Sequence, residues 1–546
     1  MEPAASPEVQ PEPGLVLINP PAISKRYLKT KFLPFGMATV FAYLKARGLP
    51  VVQRDLLVDY LFHSPEDINY HDYHNPALTF TEEDYFAALN GSPAHPGLAA
   101  FGHKYAAQLP AGAGIYAFSI VAYHQFWACL LLAKQIKEAN PGAKIVFGGP
   151  FITIRPVEAY VDYGQADYWV KGNGDVPLLE LWRLLEGKAG QDRRDIPGLI
   201  YRHEGRLVQN PKAVTPAQEE APPDFEGLNL DRYRFDHPLT GPQSLFLHYR
   251  VAKGCPSACS FCTGRLVDRY DRKSPEKVLR ELKALAAKYQ TNCFMFADAS
   301  LNGDPDLLAR ICDRLAVELP QIKWYAYSRV RGFSDELVKK VARAGCFSLS
   351  WGVEACRQPT IDLLGKRFRE ERVYPLIDAC VAAGIKNHVH LIYNTPHETE
   401  DDVRALIEIM DRYRRSKLVV FLPMRFLLEP QSLIYDKPQT YGLTNVRELK
   451  TELFERSEYA FDEMGGLSHE EILARNQRHY QALADRLAYV RFKGFKEGTT
   501  SVLVKLIPIR ALVWLQRRAA GWPLAEKLRQ RLVRFLKAKA PFKEEL

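Results

Sequence analysis

The sequence predicts an α/β protein with two βα repeats and a helical C-terminal region. Two observations support this prediction. Short apolar runs ended by Pro or Gly alternate with helical segments over residues 15–190 and again over residues 241–430. A Pro- and Ala-rich stretch, residues 211–224, lies between the repeats and is typical of a linker. With 546 residues, of which 47% are hydrophobic, the chain is long enough for two or three globular domains.

The first repeat, residues 15–190, predicts a doubly wound, Rossmann-like parallel sheet. Its predicted strands are the apolar runs at residues 15–19, 51–55, 114–121, 144–149 and from residue 168. The predicted helices cover residues 35–48 and 127–139. Residues 62–109 have only a weak period, which indicates an insertion or a long connection.

The carboxyl ends of these strands are where an open parallel sheet binds its ligands. They fall at Asn19-Pro-Pro21, Ser119-Ile-Val121, Gly148-Gly149 and Gly172-Asn-Gly174. Paired glycines let a ligand approach the backbone closely, although an ordinary tight turn uses them too. Ser119, Gly148 and Gly149 are therefore candidate ligand contacts.

The second repeat, residues 241–430, predicts a partial (β/α)6 barrel, reached through a hairpin and linker in residues 191–240. Its predicted strands cover residues 244–252, 292–297, 324–328, 347–353, 388–393 and 418–424. Its predicted helices cover residues 275–288, 305–319, 335–344, 371–383 and 400–415. As in full barrels, chemistry is expected at the carboxyl ends of the strands.

Three cysteines follow the first barrel strand, in Lys253-Gly-Cys-Pro-Ser-Ala-Cys-Ser-Phe-Cys262. The Cys-x3-Cys-x2-Cys spacing of Cys255, Cys259 and Cys262 allows a compact loop to present three thiolates to an iron–sulfur cluster. A zinc site is disfavoured, because no fourth Cys or His lies at ribbon or finger spacing. Three thiolates on a [4Fe-4S] cluster leave one iron open to an exogenous ligand. The competing interpretation is three incidental buried cysteines.

With an aromatic residue, Phe261, before its last cysteine, this loop resembles the signature loop of radical S-adenosylmethionine (SAM) enzymes. The resemblance implies that Cys255, Cys259 and Cys262 hold a [4Fe-4S] cluster whose open iron chelates SAM. It also implies that one electron, from a donor such as flavodoxin or ferredoxin, cleaves SAM to a 5′-deoxyadenosyl radical.

The resemblance also implies that SAM contacts lie at the barrel strand ends. The candidates are Phe261, Asp298, Asn302, Ser328, Arg329, Glu354 and Asn394. Glu354 lies in a Gly-Val-Glu turn similar to the family's, and residues 395–399 resemble its Leu-Pro-Gly-Glu-Thr turn, with His397 in place of the glycine. For each of these residues, a helix cap or a satisfied turn is the alternative role.

The first repeat resembles the cobalamin-binding domain of one radical SAM subclass. The matching features are Pro20-Pro21, Phe35-Gly36, Gly148-Gly149 and Gly172-Asn-Gly-Asp175, the last departing from the usual acidic turn at Asn173. The resemblance implies cobalamin contacts at Ser119, Gly148 and Gly149. No Asp-x-His-x-x-Gly motif follows Asn19, and Asp72-Tyr-His74 lacks the glycine, so a protein histidine is not expected on the cobalt. A degenerate domain without cobalamin stays open.

Five further cysteines are predicted to be small core residues: Cys293, Cys312, Cys346, Cys356 and Cys380. Cys356 lies just past a strand end, where a catalytic thiol is the alternative. Methylthiotransferases carry a second cysteine triad in the N-terminal domain, and Cys129 alone precedes the linker here, so that branch is disfavoured.

The ends of the chain are predicted to differ from its middle. Residues 1–14 are Pro- and Glu-rich, which indicates a disordered leader rather than a signal peptide. Within residues 431–546, the last stretch predicts a basic amphipathic helix that packs on the surface or contacts a membrane or an acidic partner. No apolar run reaches the length of a membrane span. A solvent-accessible cluster requires a reducing compartment, which predicts a cytoplasmic location.

The resemblance leads to a cobalamin-dependent radical SAM C-methyltransferase that uses methylcobalamin as methyl donor. A cyclase, oxidoreductase or rearrangement enzyme with the same domains is the alternative, with or without cobalamin. A cobalamin or iron–sulfur sensor is a third hypothesis. The net charge of +9 is modest for this length and does not indicate a nucleic-acid groove. The substrate class stays open among a small specialised metabolite, a peptide and a lipid.

Overall fold

The computed structural model describes residues 13–23, 32–61, 80–92, 95–188, 192–449 and 458–495. Two large sheets dominate this part of the chain, one of seven strands and one of six. The predicted α/β class is confirmed. The division of the two sheets into separate domains stays a prediction. Both sheets belong to the same compact unit, whose last residue is Ala484.

The first sheet has the strand order β2-β1-β3-β4-β5-β6-β7. Its strands are β1 (Leu15–Asn19), β2 (Val51–Asp55), β3 (Ile115–Ser119), β4 (Lys144–Gly148), β5 (Tyr168–Val170), β6 (Leu199–His203) and β7 (Arg206–Gln209). The first five are parallel, and the predicted hairpin β6–β7 extends their sheet antiparallel to β5. Because the order reverses between β1 and β3, the loops after these strands diverge and leave a crevice at the carboxyl edge.

Seven helices connect and cover this sheet. They are α1 (Phe35–Lys45), α2 (Leu56–Leu61), α3 (Glu82–Leu89), α4 (Pro96–Ala106), α5 (Tyr123–Ala139), α6 (Pro150–Ile154) and α7 (Asp175–Leu185). Side chains of α1 and α7 share one apolar cluster with one face of the sheet, and side chains of α3, α4 and α5 share another with the opposite face. The structure corrects the long connection predicted over residues 62–109, because α3 and α4 lie within it. Their apolar faces are short, so the sequence period is weak.

The second sheet has six parallel strands, all in chain order, β10-β13-β14-β15-β16-β17. These are β10 (Phe246–Tyr249), β13 (Cys293–Phe296), β14 (Lys323–Ser328), β15 (Cys346–Glu354), β16 (Lys386–Tyr393) and β17 (Val419–Arg425). The connecting helices are α8 (Pro275–Tyr289), α9 (Pro305–Glu318), α10 (Asp335–Arg343), α11 (Gln358–Leu363), α12 (Val373–Ala382) and α13 (Glu400–Arg412). This is the predicted partial (β/α)6 barrel.

Three two-stranded antiparallel sheets complete the described strands. They pair β8 (Phe235–His237) with β9 (Gly241–Ser244), β11 (Ala252–Lys253) with β12 (Asp271–Arg272), and β18 (Leu443–Leu449) with β19 (Glu458–Glu463). The C-terminal region is thus not helical throughout: β18 and β19 lie between α14 (Leu433–Asp436) and α15 (His469–Phe495). The predicted leader up to residue 12, Asp72 to His74 and the basic tail lie outside the described residues. Among the described helices, none has the length and apolarity that a bilayer crossing requires.

Candidate active site

The loop that carries Cys255, Cys259 and Cys262 leaves β11 and is fixed to a neighbouring loop. Ser260 donates its hydroxyl to the Leu363 carbonyl at 2.8 Å and its backbone N–H to the Leu364 carbonyl at 3.0 Å. Gly365 has a φ of +66°, and a Cβ there would lie 3.0 Å from the Ala258 carbonyl oxygen. The missing side chain therefore lets the two loops approach closely.

The three thiols fit a cluster better than a single metal ion. None of Cys255, Cys259 and Cys262 is in a disulfide, and each is at least partly accessible. Among the described residues, no three Cys, His, Asp or Glu side chains gather closely enough to hold one metal ion. Cysteines of an iron–sulfur cluster bind different iron atoms, so their thiols stand farther apart. The donor chemistry and the free thiols thus match a cluster held at its corners.

A buried lysine that the sequence motifs did not indicate lies beside this loop. The Lys366 ammonium is 3.3 Å from Glu354 Oε1 and 6.0 Å from the centre of the Phe261 ring. Burial raises the pKa of the Cys259 thiol, and the Lys366 cation opposes that shift. Lys366 thus brings together two predicted SAM contacts, Phe261 and Glu354, next to the cysteines.

Glu354 adopts an uncommon backbone conformation at the end of β15. Its φ is +67°, in the left-handed region that residues with a Cβ rarely adopt, and the β15–β16 register shifts between Gly352 and Glu354. Such conformations cluster at ligand sites, where the surrounding structure holds them in place. The bulge turns the Glu354 carboxylate toward Lys366, so this side chain does not follow the up-and-down alternation of a regular strand.

Arg329 links the end of β14 to the cysteine loop. Its guanidinium donates to the hydroxyl of Ser257 in that loop and, at 3.0 Å, to the hydroxyl of Ser300. Within the described residues, no carboxylate pairs with this guanidinium. The neighbouring Ser328 has a buried hydroxyl without a hydrogen-bond partner in the same described set. Arg329 is therefore an uncompensated cation beside the cluster loop.

Asn302 and Asp298 support the site from behind. The Asn302 amide donates to the Arg329 and Arg331 carbonyls, both at 2.9 Å, and accepts from the Arg329 N–H at 2.9 Å. Asp298 accepts the backbone N–H of Val251 at 3.1 Å and of Ala252 at 2.6 Å. Burial raises the pKa of Asp298 to about 6. These bonds occupy both side chains, so their position favours a supporting role over direct SAM contact.

Asn394 lies at the end of β16, where a fourth strand end approaches the site. Its φ is +60°, and its buried amide oxygen has no hydrogen-bond partner among the described residues. The unpartnered acceptor indicates a group that a ligand can satisfy. The following turn docks the C-terminal region: the His397 N–H donates to Glu463 at 2.7 Å, and His479 bonds Glu398 at 2.6 Å.

The inner face of the barrel adds two residues that sequence reasoning missed. The Tyr327 and His390 rings lie 6.0 Å apart, and Tyr327 is 39% exposed. Burial lowers the pKa of His390, and its Nε2 has no partner within the described residues. An exposed aromatic ring and a neutral imidazole can hold an organic ligand between them. The Tyr327 and His390 rings come together only through the pairing of the strands, so no sequence motif indicates this site.

Cys356 is partly exposed past the end of β15, in surroundings that disfavour the thiolate form. Burial raises its pKa to about 12, and Glu370 and Glu408 add to the shift. A thiol with that pKa stays protonated at neutral pH, whereas nucleophilic cysteines need a lowered pKa. Of the predicted core cysteines, Cys312, Cys346 and Cys380 are buried and Cys293 is partly buried.

A cavity lies at the carboxyl edge of the first sheet. It encloses about 960 Å³ of empty space, counting the part open to solvent. Ser119, Gly148 and Gly149 line it, together with Asn173 and the first turn of α1. The three candidate contacts, which the sequence places at two strand ends, thus lie together at the crevice.

Two of the cavity glycines are required by the fold. Gly149 has a φ of +94°, and a Cβ there would lie 2.6 Å from the Ile120 carbonyl oxygen. Gly172 has a φ of +96° and would press a Cβ into the Ala213 carbonyl. At Gly148, a Cβ would meet Val170 at an ordinary 3.8 Å. The tight turns therefore explain why positions 149 and 172 are glycines. At Gly148 the turn does not require a glycine, and there is room for a ligand.

The barrel side of the cavity is polar and was not indicated by any motif. Glu220, Arg250 and Asp268 line it. Arg250 pairs with Glu220 and lies 3.6 Å from Asp268, and its guanidinium faces the Phe35 ring at 5.4 Å. A cavity with an apolar sheet side, small turns and a polar rim matches a bulky amphipathic cofactor such as cobalamin.

Comparisons with known proteins agree with this site. The sequence profile of the Radical SAM superfamily matches residues 249–410. An uncharacterized methyltransferase of Pyrococcus horikoshii is 26% identical over 281 residues, which are 51% of this chain and 60% of that protein. The anaerobic magnesium-protoporphyrin IX monomethyl ester cyclase of Rubrivivax gelatinosus is 25% identical over 272 residues, 48% of each chain. The chain spans about half the length of the curated relatives it matches.

A solved structure shares the fold of both sheets. It is the radical SAM methyltransferase TsrM from Kitasatospora setae with cobalamin and a [4Fe-4S] cluster bound, at a TM-score of 0.56 and 19% identity, covering 81% of each chain. At that identity, the likeness concerns the fold alone. The family match covers residues 249–410, which include the cysteine loop and most of the barrel. A radical SAM domain implies a [4Fe-4S] cluster and SAM as cofactors.

Proposed function

We propose that this chain is a cobalamin-dependent radical SAM methyltransferase that acts on an unactivated carbon. The observation that carries the proposal is one continuous stretch of chain. Arg250 lines the cavity of the first sheet, and Cys255 of the cluster loop follows it five residues later. The two cofactor sites are therefore neighbours. When bound, the cluster and SAM supply a hydrogen-abstracting radical, and cobalamin supplies the methyl group.

The residues of the chain have distinct proposed roles around these cofactors. Cys255, Cys259 and Cys262 hold the cluster. Arg329 binds the SAM carboxylate, because a planar cation without a carboxylate partner suits a bidentate acceptor. The other proposed SAM contacts are Phe261, Ser328, Glu354 and Asn394, with Asp298 and Asn302 in support. Ser119, Gly148 and Gly149 contact cobalamin.

The proposed substrate is a small organic molecule bound on the inner face of the barrel. Tyr327 offers an exposed ring, His390 offers one free nitrogen, and Met424 is 59% exposed on β17. We further propose two domains, at residues 15–190 and 241–430, a flavodoxin or ferredoxin as electron donor, and a cytoplasmic location. A reducing compartment protects the accessible cluster that the site requires.

The test is anaerobic reconstitution with iron, sulfide and cobalamin, followed by incubation of candidate substrates with SAM labelled at its methyl carbon. We expect 5′-deoxyadenosine, a cobalamin absorbance spectrum that persists after desalting, and label in the product. Formation of 5′-deoxyadenosine with no label in any product would exclude methyl transfer.

A radical cyclase is the second candidate, because the Rubrivivax gelatinosus relative bears that name. Product mass separates the two functions. Methylation adds the mass of one methylene group, and cyclisation does not. A cobalamin or iron–sulfur sensor is excluded if SAM cleavage occurs and is lost when the three cluster cysteines are replaced by alanine.

A further inference from the structure

Lys253 is a buried lysine two residues before Cys255. Its side chain is 2% exposed, at the end of β11. The ammonium donates to the amide oxygen of Asn173 at 3.0 Å and to the Thr215 carbonyl at 2.7 Å. It also lies 3.7 Å from the carboxylate of Glu220. All three groups come from outside the barrel, so Lys253 joins the cluster loop to distant parts of the chain.

The partners of Lys253 belong to the wall of the cavity. Asn173 and Glu220 line it, and Asn173 lies in the turn after β5 between the cavity glycines 172 and 174. The Asn173 amide oxygen also accepts the Thr215 N–H at 2.9 Å. The Thr215 hydroxyl in turn donates to Asp175, another lining residue, at 2.7 Å. One ammonium group thus completes a network that holds the cavity turn, the connecting segment and the cluster loop.

The charges of this network explain why a lysine is tolerated there. A buried ammonium costs several kcal/mol unless it is paired and hydrogen-bonded. Burial lowers the pKa of Lys253, and Glu220 is the largest opposing influence. Glu220 also pairs with Arg250 and lies 3.4 Å from Lys273, so it compensates several cations. Directional bonds to a charged group fix a distance more tightly than apolar contact does.

We propose that Lys253 is a positioning residue that fixes the cluster loop against the cobalamin cavity, and that it thereby couples SAM cleavage to methyl transfer. This inference rests on the proposed function. Lys253 touches neither set of reacting atoms. Its effect is to hold the Asn173 turn and the Cys255 loop at one separation, so that the two cofactors face each other reproducibly.

The experiment compares four variants of the full chain with the wild type. Lys253→Met removes the ammonium, Lys253→Arg keeps the charge, and Asn173→Ala removes one acceptor while the lysine stays paired with Glu220. Lys283→Met, an exposed position on α8, is the matched control. For each protein, three quantities are measured: iron per chain, the dissociation constant of cobalamin by absorbance titration, and the ratio of 5′-deoxyadenosine to methylated product.

For Lys253→Met we expect unchanged iron, a cobalamin dissociation constant about tenfold higher, and several-fold more 5′-deoxyadenosine per methylated product. Asn173→Ala should shift both quantities in the same direction but less, while Lys253→Arg should restore most of the wild-type values. A wild-type cobalamin affinity in Lys253→Met would overturn the inference. Loss of iron together with cobalamin in both Lys253→Met and Asn173→Ala would also overturn it, since the network would then serve the fold alone.

The failure of the proposed function gives a different result. If the wild type binds cobalamin and cleaves SAM without methylating, methyl transfer is excluded while the cobalamin affinities and iron contents still decide the role of Lys253. If the wild type binds no cobalamin, both proposals are excluded together.

Discussion

The guanidinium of Arg329 donates to the hydroxyl of Ser257, which joins the end of the third barrel strand to the middle of the cysteine loop. Ser257 lies between Cys255 and Cys259 in sequence, so the bond ties the cation to the cluster ligands. Asn302 fixes the backbone of Arg329 from below. A charged group held this firmly is prepared for an anionic ligand before the ligand arrives.

Replacing Arg329 should therefore weaken SAM binding. Arg329→Ala is expected to raise the SAM dissociation constant by about tenfold or more, since hydrogen bonds to charged groups contribute roughly 1.5–3 kcal/mol. Equilibrium binding to the reconstituted protein measures it. Arg331→Ala is the matched control, because the Arg331 side chain is exposed and only its carbonyl is used. Equal affinities in the two variants would exclude Arg329 from the SAM site.

The cluster cysteines and Cys356 should respond oppositely to substitution. Alanine at Cys255, Cys259 or Cys262 is expected to remove the cluster and 5′-deoxyadenosine formation while cobalamin binding persists. Cys356→Ala should keep iron content and SAM cleavage within about twofold of the wild type, because a protonated thiol outside the cluster loop acts as a small packing residue. Iron analysis and product chromatography measure both. Loss of SAM cleavage in Cys356→Ala, with iron retained, would instead support the hypothesis that Cys356 is a catalytic thiol.

The neighbouring glycines 148 and 149 provide a stability prediction with its own control. Gly149→Ala forces a Cβ to 2.6 Å from the Ile120 carbonyl oxygen at a φ of +94°. We expect it to destabilise the protein by at least about 2 kcal/mol. Gly148→Ala meets Val170 at 3.8 Å, so the fold should tolerate it. Thermal unfolding distinguishes them, and an equal loss of stability in both would contradict the geometric account.

Asp55 should make stability depend on pH. Burial raises its pKa to about 6, although hydrogen bonds from Tyr233, Val58 and Asn19 oppose the shift. An unfolded Asp has a pKa near 3.9, so the stabilisation is complete below about pH 4 and is lost as the pH rises through about 6. Asp55→Asn stays neutral throughout. Over that interval, the free energy of unfolding should fall by roughly 3 kcal/mol less in the variant than in the wild type.

Thermal or denaturant unfolding at a series of pH values measures this difference. Tyr233→Phe is the informative control, because removing a hydrogen bond that lowers the pKa should move the transition to higher pH. Parallel pH profiles of the wild type and Asp55→Asn would show that another group titrates.

Asp298 shows why site residues are harder to predict from sequence than strands. Its position after a barrel strand predicts a SAM contact at the carboxyl edge of the barrel. The sequence could not show that both carboxylate oxygens accept backbone N–H groups of Val251 and Ala252. Those partners lie 46 and 47 residues away in the chain. Which hydrogen-bond donors a carboxylate meets depends on how the strands associate, and no local sequence period indicates it.

The sequence by itself determined the cysteine triad, the two βα repeats and the strand ends at which ligand contacts are predicted. These follow from spacing along the chain, because apolar period and turn residues act within a few positions. Tertiary structure alone decided that Lys366 lies beside Glu354, that helices occupy part of residues 62–109, and that Lys253 meets Asn173 across 80 residues of chain. A buried charge can be placed only where folding brings its partners together, so its role becomes visible only in three dimensions.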